Sequence, residues 1–203
     1  AAAIEAFAGL DAVDVVILYP HGRVSEVQRR QMTTPAAPNV HALAVEGTFD
    51  DCQALVKAMF NDFAFRDEVG LAAVNSINWA RVMAQIVYYV TAAVSLGAPG
   101  RKVSFSVPTG NFGDIYAGEI ARRMGVPIDR LVIATNENDI LHRTLETGRS
   151  EAAGVMATVA PSMDIQVSSN FERLLFDLYH RDAGAVAAAM AEQKQTGSFT
   201  LPQ

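Results

Sequence analysis

Residues 107–114 read Val-Pro-Thr-Gly-Asn-Phe-Gly-Asp, and the chemistry open to such a run is holding an anion. Val103, Phe105 and Val107 alternate with polar residues as a strand does, and Pro108 stops that ladder. Gly110 and Gly113 permit a turn free of Cβ clashes, and Asp114 with Ile115, Ala117, Ile120, Ala121 and Met124 starts a helix directly behind it. A strand, a glycine turn and a helix start leave unpaired N–H groups at the positive end of a helix dipole, where a phosphate is stabilised. The expectation is a phosphate held by the turn Gly110–Gly113. A glycine turn that carries no ligand is the alternative. The run lacks Gly-x-Gly-x-x-Gly and Gly-Lys-Ser/Thr, so it is neither a dinucleotide fingerprint nor a Walker loop.

A second constellation lies upstream. Asn75, Ser76, Asn78 and Arg81 set two amides, a hydroxyl and a guanidinium around one helix start, with Asn78 and Arg81 on one face at i, i+3. An arginine fork with amide donors suits a phosphate or a carboxylate; an asparagine cap beside a surface arginine is the plainer reading. A third polar corner, Asn136-Glu137-Asn138-Asp139, is expected to cap the helix behind it. His21, His41, His142 and His180 have no metal-ligand spacing, so no metal is expected. Gly-x-Ser-x-Gly is absent, and Cys52 falls in the apolar pattern of a helix.

Those corners need elements to position them. Apolar runs at 14–19 and 40–45 read as strands, the first as one buried on both faces of a parallel sheet, and 71–74 reads as a further short strand. Ser25 caps a polar helix at 26–33, and Thr48 with Asp51 forms a capping box for a helix at 50–60. Helices follow at 79–96, 114–124, 140–146, 171–180 and 183–194, the fourth capped by Ser168-Ser169-Asn170, with a strand at 130–135. The alternation predicts an α/β fold: mostly parallel twisted sheets, helices on both faces and ligands at the carboxyl ends of strands. A break near Asn75 divides a smaller α/β part, residues 1–74, from a larger part, residues 75–203, that carries the phosphate turn.

Composition bounds the partners. The 203 residues are 50% hydrophobic, enough for a sizeable core, and a net charge of −6 argues against nucleic acid. No apolar run reaches the roughly 20 residues of a spanning helix, so no membrane is expected. One cysteine excludes an internal disulfide and suits a cytoplasmic setting. The chain opens in a helical pattern at 1–7 without Met or cap and closes on 198–203 without a terminating element, from which a piece of a longer protein is expected.

Residues 107–114, with the helix through Met124-Gly125-Val126-Pro127-Ile128, closely resemble the threonine synthase family, pyridoxal-phosphate enzymes of the tryptophan-synthase-β-like fold. The segments 75–81, 85–89, 134–141, 162–165 and 169–174 are similar to that family as well. The resemblance implies that Thr109, Gly110, Asn111, Phe112 and Gly113 bind the phosphate of pyridoxal 5'-phosphate. Asn75, Ser76, Asn78 and Arg81 would lie near the phosphate of the substrate, O-phosphohomoserine, and Asn136–Asp139 near the rim of the cofactor pocket. The implied reaction is γ-elimination of phosphate and addition of water at Cβ, giving L-threonine. The family's Schiff-base lysine stands in a Phe-Lys-Asp context upstream, which none of Lys57, Lys102 and Lys194 matches. The resemblance therefore implies no catalytic residue within these 203 residues, and no activity from them alone. A threonine-synthase-like phospho-lyase and a non-catalytic anion-binding module are the alternatives.

Overall fold

The computed structural model describes residues 2–202, which divide into two compact units between Val74 and Asn75. Ala1 and Gln203, the outer ends of the two terminal segments, lie outside the described residues.

In the first unit, α1 (Ala2–Phe7), β1 (Val15–Pro20), α2 (Glu26–Thr33), β2 (Val40–Val45), α3 (Phe49–Asn61) and α4 (Phe63–Glu68) follow one another. β1 and β2 pair in parallel, Val15 opposite Val40 through Pro20 opposite Val45. Both expected caps form. Ser25 accepts from the Gln28 N–H while Gln28 accepts from the Ser25 N–H, and Thr48 and Asp51 exchange the same pair of bonds. Cys52 is buried. The strands differ from expectation on one point: Val16 and Leu43 are each about half exposed, so the pair is not buried on both faces among the described residues. Residues 71–74 form no strand either. Gly70, at φ 61°, turns the chain in the left-handed region behind α4, and the Leu71 N–H donates back to the Arg66 carbonyl at 2.9 Å. That closes the helix end and takes Leu71 out of any ladder.

The second unit contains α5 (Trp79–Ser95), β3 (Val103–Pro108), α6 (Gly113–Arg123), β4 (Ile128–Ala134), α7 (Ile140–Thr147), β5 (Arg149–Glu151), α8 (Phe171–Leu178), α9 (Ala183–Thr196) and β6 (Ser198–Thr200). β3 and β4 are parallel, joined through α6 in a βαβ unit. β5 and β6 pair antiparallel, so 198–200, expected to have no regular structure, is a strand. Three residues per strand are too few for alternation to register; the pairing comes from α7 and α9 delivering both segments to one place.

α5 buries Val82, Ile86, Tyr89 and Ala93, a helical stripe, against α6. α6 meets it with Ala117, Gly118 and Ala121. A Cβ on Gly118 would stand 2.7 Å from Tyr89 Cε1 and 3.0 Å from Leu131 Cδ2. The Tyr89 ring cannot retreat, since its edge packs on Phe105 and its hydroxyl donates to the Asp114 carbonyl at 2.9 Å. Gly118→Ala is expected to destabilise the protein by about 1–3 kcal/mol by overpacking, despite the roughly 1 kcal/mol that alanine gains in helix propensity. Urea unfolding checks this; an equal or raised midpoint refutes it.

Candidate anion site

The turn between β3 and α6 begins where the ladder ends. The Thr109 N–H donates to the Ala134 carbonyl at 2.8 Å, and the buried Thr109 hydroxyl donates to the Val107 carbonyl at 2.6 Å. Thr109 thus spends its donors on the strand end. Phe112 occupies the cap position of α6 at φ 64°, ψ 0°, left-handed without a glycine, and makes no side-chain cap. Its buried ring meets Phe171 edge to face at 5.2 Å, packing that offsets a backbone cost of about 1–2 kcal/mol. The N–H groups of residues 110–115 find no acceptor among the described residues. Six consecutive unpaired donors at a helix N-terminus make an anion site.

The site is drawn tight where the glycines stand. A Cβ on Gly113 would lie 2.9 Å from Ser76 Cβ, and one on Gly110 would lie 3.2 Å from Ile165 Cδ1. The structure therefore brings Ser76, 37 positions upstream, onto the turn. Its Oγ accepts from Asn170 Nδ2 at 2.8 Å, which leaves the hydroxyl proton to donate. Asn75 and Asn78 organise the segment itself: Asn75 Oδ1 accepts from the Ile77 N–H, and Asn78 Oδ1 caps α5 through the Ala80 N–H. Arg81 follows one turn into α5, its Nε buried without a hydrogen-bond partner.

A third segment, 168–173, completes the arrangement. Ser168 Oγ donates to the Gly110 carbonyl at 2.9 Å. The Asn111 carbonyl accepts from both the Asn170 backbone N–H, at 3.1 Å, and Asn170 Nδ2, at 3.0 Å. Asn111 Oδ1 accepts from Ser169 Oγ at 3.3 Å, which leaves the amide nitrogen as the donor end of that side chain. Arg173 donates through Nε to Asn170 Oδ1 and through Nη2 to the Ser76 and Ile77 carbonyls, with its guanidinium 5.3 Å above the Trp79 ring. Asn170 is 1% exposed and makes no cap bond to α8, contrary to expectation; its amide is used across the chain instead. By residue type Ser168-Ser169-Asn170 is a helix start, and the one local signal of another role is Arg173 three positions after Asn170.

The corner at 136–139 also departs from the capping expected of it. Asp139 makes no side-chain cap of α7, while Asn136 and Asn138 reach Thr158, Asp164 and the Met156 backbone. The corner ties down the loop that leads to Ile165 and Gly110.

Burial first, and the Asp114 charge second, push the Tyr89 phenol far above its ordinary range, so it stays a neutral donor to the Asp114 carbonyl. Among the described residues no cluster of metal-ligating side chains occurs, and no helix is long and apolar enough to cross a membrane.

No family model matches the chain. The chain is 58% identical over 200 residues to the threonine synthase of Pseudomonas aeruginosa, covering 98% of this chain and 43% of that protein. Threonine synthase-like 2 of Homo sapiens is 40% identical across the whole chain, again 43% of that protein. Among solved structures, PLP-bound threonine synthase from Brucella melitensis superposes with a TM-score of 0.86 at 64% identity, over all of this chain and 44% of that one. Threonine synthase from yeast gives 0.82 at 47% identity, over all of this chain and 42% of that one. The chain thus spans less than half the length of the relatives it matches.

Proposed function

This chain belongs to the threonine synthase family, and on that premise we propose that its glycine turn holds the phosphate of pyridoxal 5'-phosphate in an enzyme that makes L-threonine and phosphate from O-phosphohomoserine and water. The observation that carries the reading is the set of N–H groups at 110–115 without acceptors among the described residues, framed by glycines where a Cβ would strike Ser76 and Ile165. A phosphate monoester fits that donor set, being doubly charged and rich in acceptor oxygens. Gly110, Asn111, Phe112 and Gly113 donate from the backbone and Asn111 Nδ2 from its side chain; Thr109 anchors the turn to β3.

When bound, the cofactor supplies a conjugated ring that takes up electron density from the substrate carbons. The chain's own part is to bind and orient. Asn75, Ser76, Asn78 and Arg81 face the phosphate that must be held and then leave, with Ser76 donating its hydroxyl proton and Arg81 its unused Nε–H. We assign residues 1–74 to the smaller α/β domain of the enzyme and 75–203 to the larger, cofactor-phosphate-binding one, and a cytoplasmic setting. The test is to incubate the protein, purified as its gene encodes it, with O-phosphohomoserine in the presence and absence of pyridoxal phosphate. Cofactor-dependent threonine is the expected product. A keto acid with equal phosphate release identifies a phospho-lyase, and phosphate binding without any turnover leaves an anion-binding module.

A further inference from the structure

We infer that Ser168 and Asn170 are positioning residues that aim the phosphate-binding N–H groups, an inference that rests on the cofactor reading above. In a trans peptide the C=O and N–H point in opposite directions, so whatever fixes a carbonyl fixes the N–H of the next residue. The one cis bond among the described residues is Ala98–Pro99, so the Gly110–Asn111 and Asn111–Phe112 peptides are both trans. Ser168 Oγ holds the Gly110 carbonyl at 2.9 Å and thereby turns the Asn111 N–H the other way. The Asn170 backbone N–H and Nδ2 together hold the Asn111 carbonyl and thereby turn the Phe112 N–H the other way. Those two N–H groups are in the acceptor-free set.

Asn170 is suited to the task in a way that aspartate is not. Its amide donates twice, to Asn111 and to Ser76 Oγ, while its oxygen accepts from Arg173 Nε, so Arg173 selects which end of the amide faces the turn. Since Arg173 also grips the Ser76 and Ile77 carbonyls, one residue sets the turn and the substrate-side segment in register. The left-handed Phe112 is the strained link that this clamp maintains.

The experiment compares pyridoxal phosphate with pyridoxal, which lacks the phosphate, by equilibrium titration of the protein as its gene encodes it. Ser168→Ala is expected to weaken pyridoxal phosphate about fivefold and Asn170→Asp about fiftyfold, with pyridoxal unchanged in both. Ser168→Thr, which keeps the hydroxyl, restores the parent affinity. Equal loss for both ligands, or no loss in either variant, overturns the inference; should Asn170→Asp not fold, the Ser168 pair decides. If the parent itself does not prefer pyridoxal phosphate, the cofactor reading fails and inorganic phosphate becomes the probe. Phosphate protection of the Asn111 and Phe112 amides from hydrogen exchange, lost in Ser168→Ala, then upholds the positioning role, and no protection in the parent overturns it too.

Discussion

Gly113→Val is expected to cut the affinity for pyridoxal phosphate by roughly a hundredfold. The new Cβ would sit 2.9 Å from Ser76 Cβ and 3.4 Å from Asn170 Nδ2, and the Cγ atoms would reach further into the same space. Neither neighbour is the free end of a long side chain: Ser76 is a short residue bonded to Asn170, and Asn170 is buried between Ser76, Asn111 and Arg173. Relief must come from moving the turn, and a moved turn misdirects at least two charge-assisted bonds worth about 1.5 kcal/mol each. Gly154→Ala is the control, because nothing stands within 4 Å of that Cβ, and its affinity should stay within about twofold of the parent. Absorbance titration reads both. A Gly113→Val protein that binds as tightly as the parent would mean that the phosphate sits elsewhere.

The second large effect is an absence of turnover. A polypeptide of these 203 residues alone, given O-phosphohomoserine and pyridoxal phosphate, is expected to form no threonine above the blank. A Schiff base to a carbonyl needs a lysine amine activated by desolvation or a neighbouring cation. Lys57, Lys102 and Lys194 are all exposed, and Lys102 is 77% accessible in its side chain beside Asp129. Changing all three to arginine in the protein as its gene encodes it should leave kcat within about twofold, since surface substitutions away from a site cost little. Threonine from the 203 residues alone would refute the expectation, as would a collapse of kcat in the triple variant.

What the amino-acid sequence determined by itself lies within a few residues along the chain. The Ser25 cap, the Thr48–Asp51 capping box and the glycine turn after a strand depend on groups three or four positions apart, so their residue types were enough to read them. The helix expected at 79–96 was legible in the same way, and the structure adds that its buried residues Val82, Ile86, Tyr89 and Ala93 fall on one face. Where the next partner is distant, residue types misled. Asn170 resembles a helix cap and instead bonds Asn111, 59 positions away, and Ser76, 94 positions away. Residues 198–200 read as a tail and pair with 149–151. Tertiary structure alone decided these cases, because a buried amide goes to whichever carbonyl the packed helices deliver to it, and no local period encodes that destination.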